Sequence, residues 1–138
     1  MFTTRQEARK FALGGNARIT AVSKATGARF TFRLRRPSED KPTFVQVLTG
    51  SDNESSYTFL GTIFADGSFR YSPKSAIGPD APSAKAFPWV WNQIQTDGDL
   101  PETLDLHHEG RCGRCGRALT VPESIESGFG PECINHVH

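Results

Sequence analysis

Three cysteines near the C-terminal end of the chain have the residue type and spacing of metal ligands. Cys112 and Cys115 are separated by two residues, so one tight turn can point both thiolates at a single ion. Gly116 follows directly and can adopt a positive φ that turns backbone N–H groups towards the sulfurs, and Gly113 can free the turn in the same way. Cys133 lies further along and can supply a third ligand. The pattern predicts a zinc knuckle.

Two sets of histidines are candidates for the fourth ligand. His136 lies three residues after Cys133, so both side chains would project from one helical turn, and this spacing favours His136. His108, with His107 beside it, lies four residues before Cys112. Without a metal, the cysteines would be three buried thiols, or one disulfide and one free thiol. Because thiolate-rich ligation is typical of closed sites, we expect a structural zinc ion and not a catalytic one.

The residues between the second and third cysteines predict the rest of a zinc module. Thr120 and Glu123 have the spacing of a capping box, and Gly128 would end the short helix that follows. Pro131 can open a last helix with Cys133 in its first turn, where the helix N-terminus favours a thiolate. A knuckle followed by a ligand at a helix start is typical of treble-clef and ribbon-like zinc modules.

The same segment resembles the C-terminal motif of an uncharacterised family of small phage and actinobacterial proteins, and residues 49–87 are similar to the segment before that motif. The shared pattern is HEGRCGRCGR, then Leu-Thr, Pro-Glu-Ser and Gly-x-Gly-Pro-x-Cys. It is carried here by His108, Glu109, Cys112, Cys115, Arg117, Leu119, Thr120, Pro122, Ser124, Gly128, Gly130, Pro131 and Cys133. Because many relatives end soon after the last cysteine, the resemblance implies His108 as the fourth ligand, with His136 as the alternative. It implies no established activity.

Charge is distributed unevenly along the chain, although the formal net charge is only +1. Residues 1–50 contain ten Lys/Arg against three Asp/Glu, a net charge of +7. The remainder contains six against twelve, a net charge of −6. This asymmetry indicates a basic face that could meet phosphate or an acidic protein, unless the two halves neutralise each other on folding.

Composition and length indicate the domain size and the cellular compartment to expect. The 138 residues suit one compact domain with a small appendage, and there is no apolar run long enough for a membrane helix. The N-terminus lacks the apolar core of a secretory signal, and the cysteine pattern is of the metal-binding kind. We therefore expect a reducing cytosol, that of a bacterial host if the protein is phage-encoded.

Hydrophobic patterning predicts mainly strands before the zinc module. Arg29–Arg35 alternates cleanly, with apolar residues on one face and arginines on the other. Further strands are expected over 17–23, 44–48, 57–64 and 69–72, with a turn-rich loop over 49–56 that contains Asp52 and Asn53. Asp66-Gly67 is a hairpin signal between the last two strands. Arg29, Arg33 and Arg35, with Arg36 after them, form the clearest nucleic-acid footprint, and a merely solvated outer face is the alternative.

The aromatic residues of the later strands are expected in the core. Tyr57, Phe59 and Ile63 would share one face of the strand over 57–64, and Phe69 and Tyr71 would pack with them. A short helix over 4–13 is expected to be a frayed terminus instead of a core element. The acidic segment over 97–109 is expected to be a loop that joins the sheet to the zinc module.

A second helix is expected over 83–95. Its apolar stripe consists of Phe87, Val90, Trp91 and Ile94, and Trp89 falls outside it. The sequence thus predicts an α+β fold, with an antiparallel sheet packed on one main helix over 1–100 and a zinc-binding module over 101–138.

Function is expected to be binding and not catalysis. No phosphate-binding Gly-rich loop, serine elbow or His-Glu-x-x-His motif is present. We expect a nucleic-acid-associated protein whose contacts are Arg29, Arg33, Arg35, Arg36, Arg114 and Arg117. The alternative is a phage or mobile-element inhibitor that binds a host defence protein complex, as anti-CRISPR proteins do. A zinc hydrolase or nuclease is the third alternative.

Overall fold

Six strands form a single antiparallel sheet at the centre of the molecule. The computed structural model describes residues 1–51, 55–120 and 122–137, so the expected turn at Asp52-Asn53 lies outside the described residues. The strands are β1 (Asn16–Ser23), β2 (Arg29–Arg35), β3 (Thr43–Leu48), β4 (Tyr57–Ile63), β5 (Phe69–Tyr71) and β6 (Leu104–His108). Their order across the sheet is β5-β4-β3-β2-β1-β6. The fold is α+β, as the sequence predicts.

One face of the sheet is the core. Strand residues alternate between faces, and the register pairs Ile19 of β1 with Phe32 of β2, both of which are buried. Leu106 of β6 lies on the same face because it pairs with Ala21 of β1. The buried side chains of this core face include Ala17, Ile19, Ala21, Phe32, Leu34, Val45, Val47, Leu104 and Leu106.

Two helices cover the core face. Helix α1 (Arg5–Ala12) is capped by Thr4, whose side-chain oxygen accepts a hydrogen bond from the Glu7 amide at 3.2 Å. Helix α2 (Pro82–Gln93) packs through Phe87, whose ring centroid lies 4.9 Å from that of Phe32. The predicted stripe of α2 is confirmed, since all four of its residues are buried.

The first helix is a core element and not a frayed end. Its residues Ala8, Phe11 and Ala12 are each at most 1% exposed. Arg9 joins it to the end of α2, because its guanidinium donates to the carbonyl oxygen of Ile94 at 3.0 Å and pairs with Asp97 at 2.8 Å. The sheet is therefore packed on two helices, where the sequence predicted one main helix.

A β-bulge changes which aromatic residues reach the core. The register between β3 and β4 shifts at Val45/Gln46, so that Val45 pairs with Gly61 but Gln46 pairs with Phe59. The extra residue moves Phe59 to the face opposite Ile63. The prediction that Tyr57, Phe59 and Ile63 share one face is therefore wrong, because strict alternation does not anticipate a bulge.

The acidic segment over 97–109 contains an edge strand, so its prediction as a loop is wrong. Within it, β6 pairs with β1 from Ile19↔His108 to Ser23↔Leu104. Leu104 and Leu106 supply the alternating apolar face, while Asp105 between them lies on the other side. This strand carries the chain directly from the sheet into the cysteine-rich segment. Among the described residues, no helix is long and apolar enough to cross a membrane.

Candidate metal centre and candidate nucleic-acid interface

The first two cysteines lie in a tight turn that begins just after β6. The Cys112 amide donates to the carbonyl oxygen of Arg117 at 2.8 Å, and the Gly116 amide donates back to the Cys112 carbonyl at 2.9 Å. Gly116 has a φ of +80°, which confirms its predicted left-handed conformation. An isolated bridge between Arg111 and Ala118 closes the base of this turn. The segment is thus a small hairpin that presents two sulfurs on one side.

The third cysteine returns to the same point from a separate element. Helix α3 (Pro122–Ser127) is followed by Gly128, whose φ is +79°, and a short 3₁₀ helix then extends from Cys133 to His136. The Sγ atoms of Cys112, Cys115 and Cys133 all lie within 4.8 Å of one another. Three thiolates bound to zinc at about 2.3 Å fit such a cluster, which could therefore hold a metal ion.

Backbone amides favour the thiolate form of Cys112. The Cys112 Sγ accepts hydrogen bonds from the amides of Arg114 at 3.4 Å and Gly130 at 3.3 Å. Burial raises the pKa of the Cys112 thiol, but these amides and that of Cys115 outweigh it and bring the pKa to about 7. A thiolate is the form that binds a metal ion, so these donors favour metal binding near neutral pH.

The sulfur of Cys133 has a different set of neighbours from that of Cys112. Burial raises the pKa of the Cys133 thiol, and the guanidinium of Arg114, 3.6 Å from its sulfur, opposes that rise. A metal cation at the centre of the cluster would stabilise both thiolates at once. Arg114 also offsets part of the negative charge that three thiolates bring to the site.

His108 is not in the sulfur cluster. It is the last residue of β6 and lies on the core face, with its ring centroid 5.6 Å from that of Phe2 and 5.5 Å from that of Phe11. The Gly110 amide donates to its Nδ1 at 2.9 Å, so the ring's own proton is on Nε2, which donates to the Ile125 carbonyl at 2.6 Å. Both nitrogens are therefore occupied. Burial lowers the pKa of His108, which favours this neutral tautomer.

His136 is also outside the cluster. It ends the 3₁₀ helix that Cys133 begins, and it is exposed. It lines a cleft of about 500 Å³ together with Cys115, Arg114 and Arg36. Within the described part of the chain, the three cysteines form the only group of candidate metal ligands that includes a cysteine, and neither histidine belongs to it.

The knuckle is packed against the body of the molecule. Gly113 does not have a positive φ, so the predicted reason for this glycine is wrong. A Cβ atom there would lie 2.7 Å from the Phe11 ring, and one on Gly14 would lie 2.7 Å from the Gly113 carbonyl oxygen. The Asn16 amide also donates to that oxygen at 2.8 Å. The glycines thus allow the turn to approach α1 and the start of β1 closely.

The face of the sheet opposite the core carries the predicted arginines, and we call it the open face. Register and alternation place Arg33 beside Arg18 of β1 on one side and Gln46 of β3 on the other. Neither α1 nor α2 packs there. The described residues of the open face are Asn16, Arg18, Thr20, Val22, Arg29, Thr31, Arg33, Arg35, Phe44, Gln46, Leu48, Tyr57, Phe59, Thr62, Arg70, Asp105 and His107.

The other predicted contact residues lie elsewhere. Arg36 follows the end of β2, and its guanidinium donates to the carbonyl oxygens of Glu39 and Lys41 and not towards the open face. Arg114 and Arg117 are exposed and line a cleft of about 500 Å³ beside the cysteines. The structure therefore separates the six predicted arginines into a sheet group, a knuckle group and Arg36.

Sequence reasoning missed several residues of the open face. Arg18 alternates with the buried residues of β1, so period-two alternation could have found it. Phe44 and Phe59 are half-buried on this face, with ring centroids 6.2 Å apart. Alternation in β3 could have placed Phe44, but the placement of Phe59 depends on the bulge, for which the sequence has no signal.

Comparison with known proteins gives one match. Residues 106–138 match the model of a family of unknown function, DUF6011. The matched range begins in β6 and includes the three cysteines. No curated protein and no solved structure matches the chain. The C-terminal part of this protein is thus similar to an uncharacterised family, and no activity comes with that similarity.

Proposed function

We propose that this protein holds a structural zinc ion at its three cysteines and acts by binding nucleic acid through the open face. Thiolates favour soft or borderline metals, and zinc is the common structural partner of a Cys-x-x-Cys turn with a third cysteine. The ion would fix the knuckle in place. The arginines of the sheet would then contact phosphate groups.

This proposal is supported most directly by two exposed arginine side chains without partners in the described part of the chain, one at each end of β2. Arg29 and Arg35 are exposed on the open face. Within the described residues, neither side chain forms a hydrogen bond or an ion pair. They are separated by a strand of about 20 Å, which is long enough to span several nucleotides. Unpaired guanidinium groups at this separation suit a polyanion.

The knuckle extends the basic surface. Asn16 pairs with Arg35 at the end of the open face, and a Cβ on Gly116 would lie 2.7 Å from the Asn16 side chain. The knuckle therefore adjoins the arginine row at this end. Arg117, exposed on the knuckle, would continue the phosphate contacts beyond the sheet.

A protein partner is the alternative, and a second observation supports it. Trp89 on α2 is 43% exposed, and Phe64 after β4 is 44% exposed. Exposed aromatic residues are common anchors of protein interfaces. The resemblance to phage proteins would make an inhibitor of a host defence complex one form of this alternative.

Binding to short oligonucleotides across a salt series tests the proposal. We expect zinc-loaded protein to bind mixed-sequence DNA or RNA with an affinity that falls as salt rises. In the variant Arg29→Ala/Arg35→Ala, the negative slope of log K against log salt should become shallower by about 1.4 for a single strand or about 1.8 for a duplex, because two phosphate contacts are lost. Fluorescence anisotropy of a labelled oligonucleotide measures both quantities.

The matched control is Lys74→Ala/Lys85→Ala. Both lysines are exposed, one after β5 and one on α2, so this variant loses the same charge away from the open face. It should keep the slope of the unaltered protein. Absence of binding at low salt would overturn the nucleic-acid proposal and direct the search to protein partners. An equal loss of slope in both variants would show that only net charge matters.

A further inference from the structure

The open face contains apolar rings as well as charges. Phe44, Tyr57 and Phe59 are half-buried there, and none of them is among the partly buried residues that pack on the core. Phe44 and Phe59 meet at an interplanar angle of 63°, so the two rings present surfaces in different directions. Half-exposed aromatic rings on a sheet face without a covering helix are surfaces on which a flat ligand can stack.

Two of the arginines lie over one of these rings. The guanidinium carbons of Arg18 and Arg33 are each 5.9 Å from the centroid of the Tyr57 ring. Both side chains are half-buried. They therefore form part of the floor of the face, in contrast to the exposed Arg29 and Arg35. Guanidinium groups and aromatic rings side by side on one face offer surfaces for stacking, and cation–π attraction extends to any base placed on them.

A cleft beside the platform has the groups that bind the edges of bases. Its volume is about 640 Å³, and its lining includes Thr20, Thr31, Arg29, Leu48 and His107. The hydroxyls of Thr20 and Thr31 are 2.8 Å apart and hydrogen-bonded to each other. Each hydroxyl oxygen retains a further lone pair, so together with the imidazole it can hydrogen-bond a base.

These features distinguish between forms of nucleic acid. A duplex hides the faces of its bases and offers only phosphates and groove edges, which recessed side chains cannot reach. Among the described residues, the open face has no helix that could enter a major groove. Single strands expose the base faces, which aromatic and arginine side chains bind without sequence preference.

We infer that the ligand of the open face is single-stranded nucleic acid, with bases stacked on Phe44, Phe59 and the Tyr57–arginine layer and phosphates held by Arg29 and Arg35. The inference rests on the proposed function and adds the form of the ligand. Asp105 at the β6 edge of the face is paired with Lys24 at 3.3 Å, which offsets its negative charge. The strand would cross β2, β3 and β4.

Competition between single-stranded and duplex oligonucleotides of the same mixed sequence tests the inference. At one salt concentration, the single strand should bind at least tenfold more tightly than the duplex. The variant Phe44→Leu/Phe59→Leu keeps apolar side chains but removes both rings. It should weaken single-strand binding by about tenfold or more while the salt slope stays unchanged, because stacking and not phosphate contact is lost.

Trp89→Leu is the control for loss of an exposed ring. Trp89 lies on α2, in the helical layer that covers the other face of the sheet, and its replacement should leave single-strand affinity unchanged. Circular dichroism and thermal unfolding check that each variant is folded. Equal binding of duplex and single strand, or an unchanged affinity of a folded Phe44→Leu/Phe59→Leu variant, would overturn the inference but leave nucleic-acid binding intact. No binding of either probe would overturn both.

Discussion

At the scale of single residues, His108 lies near the cysteines in sequence but hydrogen-bonds backbone groups with both of its ring nitrogens. Its Nδ1 accepts from Gly110 and its Nε2 donates to Ile125, an exposed residue of α3. The ring thus connects the end of β6 to both the knuckle and α3. A metal ion could bind this ring only if one of the two hydrogen bonds were broken.

We predict that His108→Ala keeps bound zinc but loses stability. Removal of the ring leaves the Gly110 amide and the Ile125 carbonyl without their partners, which should lower the free energy of unfolding by about 1–3 kcal/mol. Metal content after dialysis against a weak chelator, with denaturant unfolding of the same sample, measures both effects. Cys115→Ser should instead lower zinc affinity directly.

Phe2→Leu is the matched control for general destabilisation. Phe2 is 4% exposed and packs against the rings of both Phe11 and His108, with its ring centroid 5.1 Å from that of Phe11. It has no group that binds metal. Zinc affinity in His108→Ala should follow that in Phe2→Leu. An affinity as low as that of Cys115→Ser would identify His108 as a ligand after all.

At the scale of elements, the contact between α1 and the knuckle depends on glycines. Phe11 of α1 lies against Gly113 and Gly128, and its ring centroid is 5.8 Å from that of Phe129. The amide of Gly113 also donates to the carbonyl oxygen of Gly128 at 2.9 Å. Side chains at these glycines would separate the elements that bring the cysteines together.

We predict that Gly14→Ala destabilises the protein by about 1–3 kcal/mol, because its Cβ would lie 2.7 Å from the backbone oxygen of Gly113 and cannot be accommodated by a side-chain rotation. Denaturant unfolding measures the change. Gly78→Ala is the control, since nothing lies within 4 Å of a Cβ at that position. It should be neutral or slightly stabilising. Equal effects in the two variants would contradict the close packing of the knuckle on α1.

At the scale of the whole molecule, the charge asymmetry of the sequence is only partly neutralised by folding. Arg9 pairs with Asp97, Lys24 with Asp105, and Arg18 lies 4.0 Å from Glu109, so cations of the first half meet acids of the second. These pairs are at the α1 end and at the β6 edge. The exposed arginines of β2 lie between them and keep their charge available.

Metal removal should affect the body of the molecule as well as the knuckle. Cys112 is fully buried, and its neighbour Gly113 binds the first residue of β1, so loss of the ion should loosen α1 and the start of β1. We predict faster amide hydrogen exchange at Phe11 and Asn16 after chelation, with little change in β4 and β5. Exchange measured by NMR with and without chelator tests this.

The β4–β5 hairpin is the internal reference for that experiment. It lies at the far edge of the sheet from β6, and its turn is closed by the Gly67 amide, which donates to Phe64. Uniform acceleration of exchange in all strands would show that the metal supports global stability. Unchanged exchange at Phe11 would show that the knuckle folds separately from α1.

The sequence by itself determined the elements whose signals are local. Alternation located β2 at Arg29–Arg35, the Asp66-Gly67 pair located the last hairpin, and the spacing of the cysteines indicated the sulfur cluster that could hold a metal ion. Each of these signals depends on residues within a few positions of one another, so backbone geometry alone converts them into structure. The apolar stripe of α2 is of the same kind.

Only the tertiary structure decided which groups meet across the sheet. The bulge at Val45/Gln46 turns Phe59 to the open face, and pairing with β1 converts the acidic segment before the knuckle into a strand. The role of His108 likewise depends on α3, which reaches it from seventeen residues away. Register, edge pairing and hydrogen-bond partners arise from long-range packing, and no local pattern of residues specifies them.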